Sequence, residues 1–190
     1  MSEERLWTWE DIVHLPEQEM PEIIDGKPYF RAAPRLKHSS PQVRFYRGFS
    51  GGGADALDTG WWILADLDVR LGPNRLVRPD LCGYRKERLP ELVDDWPLDL
   101  RPDWVCEILS PSNARYDRST KGTIYADAGI PWYWLIDTQE RMVEVWELLG
   151  GRWSVFGCFG EEDKLVQPPF DGLEFEVGLL FGGRAAPATP

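Results

Sequence analysis

A chain of 190 residues, 43% hydrophobic and 28% charged, is long enough to bury one sizeable core and too short to demand two. Its formal net charge of -11 speaks against a nucleic-acid partner, because phosphate binding depends on Lys and Arg contacts and counterion release. No apolar run approaches the roughly 18 to 20 residues of a membrane span, and the opening MSEERLW has no apolar signal-peptide region, so a cytoplasmic protein with no membrane partner is expected. Cys82, Cys106 and Cys158 are odd in number, widely spaced and without a CxxC pair. That usage argues against a disulfide framework or structural zinc and fits a reducing compartment.

Taken in chain order, Thr8 is placed to cap a short helix, with Asp11 able to reach back to it and Pro16 ending it. In PEIIDGKPYF the Asp25-Gly26 pair predicts a two-residue hairpin turn, with Glu22 at the start of its first strand. Between Asp25 and Asp55 there is no acidic residue, while Lys27, Arg31, Arg35, Lys37, Arg44 and Arg47 all fall there. This stretch is either a local basic face or a plain solvated one. Within it His38 precedes a helix capped by Ser40, started by Pro41 and broken by Gly51 to Gly53.

Residues 61–71 alternate, with Ile63, Ala65, Leu67 and Val69 on one face, which predicts one half-buried strand whose polar side exposes Asp66 and Asp68 to solvent, the alternative being that one of the two contributes to a site. After the Gly72-Pro73-Asn74 turn, LVRPDLCGY reads as another strand that is an edge, is bulged, or begins at Pro79, and Asp80 follows that proline. Residues 86–102, rich in Pro, Asp and Glu, read as a surface connection. WVCEIL is the next strand, and Ser112 or Asn113 can cap the helix ARYDRSTKGTIYADAG that stops at Gly129. On that helix Asp117, Lys121, Ile124, Tyr125 and Ala128 share one face. WYWLID, RMVEVWELL and RWSVFGCF then predict a meander, FEVGLLF a short apolar docking segment, and residues 182–190 a flexible tail.

The expected fold is α/β, an α+β mixed sheet, in one domain over residues 1–181, with a strand-helix-strand crossover over 104–137 and a C-terminal antiparallel meander. Glu107 is the chemical anomaly in it: a carboxylate among Trp, Val, Cys, Ile and Leu is expensive to bury without a partner. The crossover helix packs back across the sheet and brings Lys121 toward Glu107. Asp80 lies on an adjacent strand and Glu22 approaches from the N-terminal region. Carboxylates gathered in this way repel one another unless something positive sits between them. Oxygen ligands without Cys or His suit Mg²⁺ or Mn²⁺. Such an ion polarises a phosphoryl oxygen and acidifies a bound water, and a nearby lysine orients that water or neutralises the phosphate. The plainer readings are an exposed strand-end Glu22, a turn acid at Asp80, an incidental core acid at Glu107, and Lys121 as a surface partner of Asp117. His38 reads as structural or capping, Asp117 as orienting or surface, and Tyr125 as a buttress for Lys121 or simply packed. The ten Trp residues read as core and strand surface.

Pro79-Asp80 followed by Glu107 in a hydrophobic strand resembles the PD-(D/E)xK nuclease superfamily, except that Leu109 stands where the lysine of that motif would be. The longer pattern of EIIDGK, His38 before a helix, RPD, VCEILSPSNARYDRSTKGTIYADAGIPWYWLID and a closing FEVGLLF resembles the Uma-two family, named for restriction endonucleases. In that family the lysine moves to the following helix, at the position matched by Lys121. The resemblance spans about residues 7–181 and implies a restriction-endonuclease-like core. It implies a metal pair of Asp80 and Glu107, catalytic roles for Glu22 and Lys121, and Mg²⁺ or Mn²⁺ as cofactor. It also implies an endonuclease acting on nucleic acid, with DNA the expected substrate. A homodimer fits an enzyme that cuts both strands. The net charge and Leu109 leave an alternative, a catalytically inactive nuclease-fold module that binds nucleic acid or protein.

Overall fold

The computed structural model describes residues 5–16, 19–30, 41–45, 60–166, 168–170 and 174–182. After a 3₁₀ turn at Trp9–Asp11, strands β1 (Glu22–Ile24) and β2 (Lys27–Tyr29) form the expected hairpin. Its turn residues Asp25 and Gly26 have φ of 49° and 78°, the positive values a type I′ turn requires. Residues 41–45 are helical. Strands β3 (Trp61–Ala65), β4 (Val69–Gly72), β5 (Arg75–Val77), β6 (Leu81–Arg85) and β7 (Trp104–Leu109) follow. One helix, here α1, then runs through Ala114–Tyr116, a π-helical stretch Asp117–Lys121, and Gly122–Asp127. It ends as expected at Gly129, whose φ is 70°. The meander β8 (Trp132–Asp137), β9 (Met142–Leu149) and β10 (Arg152–Gly160) comes next. The short pair β11 (Lys164–Leu165) and β12 (Phe175–Glu176) and a 3₁₀ turn at Val177–Phe181 close the described chain.

The strands make a six-stranded sheet of order β10-β9-β8-β7-β6-β3 and a four-stranded sheet of order β2-β1-β5-β4. Only β7 and β8 pair in parallel among the named strands, because only they are joined by a crossover helix rather than a hairpin or loop. One face of the large sheet packs Trp104, Cys106, Ile108 and Trp134 against Phe45, Phe170, Val177 and Leu180. The other packs Val105, Leu109, Tyr133 and Leu135 against Ile124 and Tyr125 of α1 and Val69 and Val77 of the small sheet.

Two expectations are corrected here, and together they create the site. The alternation over residues 61–71 does not make one strand. Asp66 takes a left-handed φ of 51°, so β3 stays in the large sheet while β4 joins the small one. Asp68, expected in solvent, is therefore carried inside, where it is 5% exposed. Likewise LVRPDLCGY is two strands: β5 ends at Val77 in the small sheet and β6 begins at Leu81 in the large one. Pro79, with no N–H to give to a ladder, sits in the three-residue crossing between them. No helix of the described residues is long and apolar enough to cross a membrane. His38, the expected helix end at Gly51 to Gly53, residues 183–190 of the expected tail, and Arg31, Arg35, Lys37 and Arg47 lie outside the described residues.

Candidate active site at the junction of the two sheets

Along β7 the side chains alternate, so Glu107 points with Val105 and Leu109 toward α1 and the small sheet. The β6–β7 register pairs Leu81 with Cys106 and, continued by one residue, sets Asp80 beside Glu107 on that same face. Asp80 is 1% exposed, and its Oδ2 accepts the Ile108 backbone N–H at 2.7 Å. Glu107 is fully buried.

Lys121 arrives from the end of the π-helical stretch, where the wider turn alters the side-chain register, a device common at functional sites. The Tyr133 hydroxyl donates to the Asp117 carbonyl at 2.9 Å, and the Trp153 indole N–H donates to the Gly122 carbonyl at 2.7 Å, pinning this segment to β8 and β10. The Lys121 ammonium is fully buried and lies 2.8 Å from Glu107 Oε1, 3.1 Å from Glu22 Oε1 and 3.1 Å from the Arg78 carbonyl oxygen. Three N–H donors thus meet three oxygens. The Tyr125 hydroxyl donates to the same Glu107 Oε1 at 2.5 Å. Burial first, and the Glu107 charge next, push that hydroxyl well above its ordinary pKa, so Tyr125 remains a donor.

The plain readings of this face are thereby corrected. Lys121 is not a surface partner of Asp117, because the face they share turns inward, and Asp117 is itself 3% exposed. Glu22 is not a solvated strand end: it is 3% exposed, and its Oε1 also accepts the Arg78 N–H at 2.7 Å. Glu22, Asp80, Glu107, Lys121 and Tyr125 are brought together.

Three contributors were not singled out from the sequence. Arg78 serves through its backbone, and only its place in RPD marks it. Tyr116 reaches Glu22 Oε2 at 3.5 Å while stacking on Tyr29 with ring centroids 4.0 Å apart. It stands five residues before Lys121, a π spacing that α-helical periodicity does not search. Gln42 donates to the Asp80 carbonyl at 2.9 Å and to Asp66 Oδ2 at 3.2 Å, and nothing in the sequence announces it.

Among the described residues no three His, Cys, Asp or Glu side chains are arranged to hold a metal ion. The Asp80–Glu107 pair is nonetheless a hard-oxygen set. Cys106 faces the opposite side of the sheet, and burial pushes the thiols of Cys82 and Cys106 above their ordinary pKa, so both stay protonated and poor as ligands. Mg²⁺ commonly takes one or two carboxylates and completes its shell with water and phosphate oxygens, and this donor chemistry fits it.

A mixed sheet with a strand-helix-strand crossover, acidic groups at the adjoining strand ends and a lysine on the crossover helix defines a restriction-endonuclease-like fold. The chain belongs to the Uma2 family, described as "Putative restriction endonuclease", which matches residues 9–178. Its fold is that of a crystal structure from Anabaena variabilis described as a "putative nuclease belonging to DUF820". The two share 23% identity and a TM-score of 0.73, covering 92% of this chain and 97% of that one. No curated protein matches the chain.

Proposed function

We propose that the chain is a metal-dependent phosphodiester hydrolase, an endonuclease with DNA as its substrate. The observation that carries this reading is the fully buried Glu107–Lys121 pair, with Glu22 on the same ammonium and Asp80 one strand away on the same sheet face. Asp80 and Glu107 are the residues that would hold Mg²⁺ or Mn²⁺. Bound there, such an ion would polarise a phosphoryl oxygen and acidify a bound water. Tyr125 and Lys121 converge on one oxygen of Glu107 and so fix the rotamer of that carboxylate. Lys121 orients the attacking water or neutralises charge developing on the phosphate, which requires it to release one of its three oxygen partners. Glu22 steadies the ammonium from the small sheet and assists through the metal or a water. The test is cleavage of a panel of DNA and RNA substrates in Mg²⁺ by the wild type, Glu107→Ala and Lys121→Ala. Wild-type cleavage lost in both variants is expected; no cleavage, or equal cleavage by all three, removes the assignment.

The burial of the cluster favours one second reading, a nuclease-fold module whose ion pair is structural. Glu107 and Lys121 are 0% exposed and Asp80 1%. Calorimetric titration with Mn²⁺ separates the two: saturable binding lost in Asp80→Asn supports the enzyme, and no binding even with nucleic acid present supports the module. We further propose that residues 1–181 form the functional domain and that two copies pair by two-fold symmetry, which sedimentation showing only monomer at high concentration would refute.

A further inference from the structure

The crossing between the two sheets, residues 78–80, contacts Glu22 and Lys121 directly and carries Asp80. Arg78 donates its backbone N–H to Glu22 Oε1 at 2.7 Å and accepts at its carbonyl from Lys121 at 3.1 Å. Two residues on, Asp80 holds the Ile108 N–H at 2.7 Å. A ladder rung would normally satisfy the N–H and C=O of one strand residue through a neighbouring strand; at Arg78 the Glu22–Lys121 ion pair serves instead. The relative places of Glu22, Lys121 and Asp80 thus depend on where the Arg78 backbone runs.

What holds that backbone lies outside the cluster. The Arg78 guanidinium forms a two-point bond with Asp68, Nε to Oδ1 at 2.9 Å and Nη2 to Oδ2 at 2.7 Å. Asp68 Oδ2 also accepts the Trp96 indole N–H at 3.0 Å, and Trp96 sits edge-on to Trp9 with centroids 4.7 Å apart. Asp68 follows the break after β3, and its backbone carbonyl accepts the Leu98 N–H at 3.0 Å, so it is anchored on both sides. Planar two-point pairing of this kind fixes orientation as well as distance. A buried carboxylate with two separate donors, set beside the segment that links Glu22, Lys121 and Asp80, has no role in the reading above.

We propose that Asp68 and Arg78 are positioning residues: their two-point bond sets the path of residues 78–80 and thereby the spacing of Glu22, Asp80 and Lys121. The inference rests on the metal-dependent reading for its consequence and on the hydrogen-bond geometry for its cause, and the two are tested separately. In the full-length protein, Asp68→Asn keeps the shape but loses the charge and one acceptor, Arg78→Lys loses the fork, and Asp68→Glu keeps both oxygens. Glu161→Gln removes a comparable Arg141 pair on the surface and serves as control. Hydrogen exchange at the Arg78 and Ile108 amides reads the positioning directly. Exchange faster by about tenfold or more is expected in Asp68→Asn and Arg78→Lys, with the β8 and β9 amides unchanged, partial rescue in Asp68→Glu and no change in Glu161→Gln. Unchanged exchange at both amides in a folded Asp68→Asn variant overturns the proposal whatever the metal does. Calorimetry with Mn²⁺ reads the consequence, and a loss of affinity of roughly 10- to 100-fold in Asp68→Asn is expected. A wild type that binds no Mn²⁺, with the exchange changes present, removes the metal reading and leaves the positioning role standing.

Discussion

On one face of β7, Trp104, Cys106 and Ile108 enter a layer of aromatic rings; on the other, Val105 and Leu109 flank a carboxylate that binds a lysine. The aromatic side is held by shape. Trp104 stacks on Phe45 at 5.3 Å and meets Trp134 and Phe170 edge-on at 5.5 and 4.9 Å. Among the described residues it even leaves the Trp104 and Trp134 indole N–H groups without hydrogen-bond partners, so packing outweighs polar satisfaction there. On the charged side each group sits where hydrogen bonds put it, and the energy is spread over a network whose members depend on one another. One sheet thus separates a face that maintains stability from a face whose arrangement is costly unless complete.

The sharpest way to break that contrast is to remove one charge and then the three charges of the Glu22–Lys121–Glu107 ion-pair network. Glu107→Ala leaves Lys121 buried without its shortest ion-pair contact and is expected to cost about 3 to 5 kcal/mol in urea denaturation. Glu107→Leu combined with Lys121→Met and Glu22→Gln removes the charges together, and is expected to be neutral or stabilising by about 1 to 4 kcal/mol while abolishing Mn²⁺ binding. A single variant as stable as the wild type would sink the idea of an interdependent network.

On the aromatic face, Trp104→Ala is expected to cost about 3 to 5 kcal/mol through the cavity it opens, with Mn²⁺ affinity unchanged at temperatures where the variant is folded. A parallel loss of affinity would show that the faces are not separable. A smaller effect is expected from Tyr125→Phe, about 1.5 to 3 kcal/mol for a buried hydrogen bond to a charged acceptor, measured the same way.

Alkaline pH should act through the charged face as well. Burial raises the Tyr125 and Tyr133 hydroxyls well above the ordinary value of 10.0, so the folded chain keeps protons that the unfolded chain releases. Their contribution to stability is full below about pH 10 and declines as pH rises beyond it, by up to about 1.4 kcal/mol per unit for each tyrosine. Tyr125→Phe should lessen that slope by one proton; an identical slope would contradict the assignment. The smallest effect is a labelling pattern. Cys158 is exposed while Cys82 and Cys106 are buried with raised thiol pKa values, so a thiol reagent near pH 8 should modify Cys158 alone until the protein unfolds.

Local signals were enough for most elements. The Asp25-Gly26 turn, the WVCEIL strand, the helix closed by Gly129 and the three-strand meander rest on φ preferences, caps and periodicity acting within a few residues, and the structure contains them. The unusual cost of a glutamate in an apolar strand likewise marked Glu107, and the handedness of the crossover aimed Lys121 at it. Pro79 was legible as an irregularity but not as a change of sheet, and Asp66 read as an ordinary strand position, since an alternating pattern is equally compatible with one long strand or two short ones.

By itself, then, the sequence determined most of the elements, the crossover and the identity of the charged residues, because those follow from short-range sterics and from the expense of burying charge. The tertiary structure alone decided that Asp68 lies inside and grips Arg78, that the Arg78 backbone joins Glu22 to Lys121, and that Gln42 and Tyr116 border the cluster. Those contacts arise where two sheets meet, between residues up to 94 positions apart, as between Glu22 and Tyr116. No periodicity encodes such pairings; they are settled only when the packed core leaves each buried polar group one set of partners within reach.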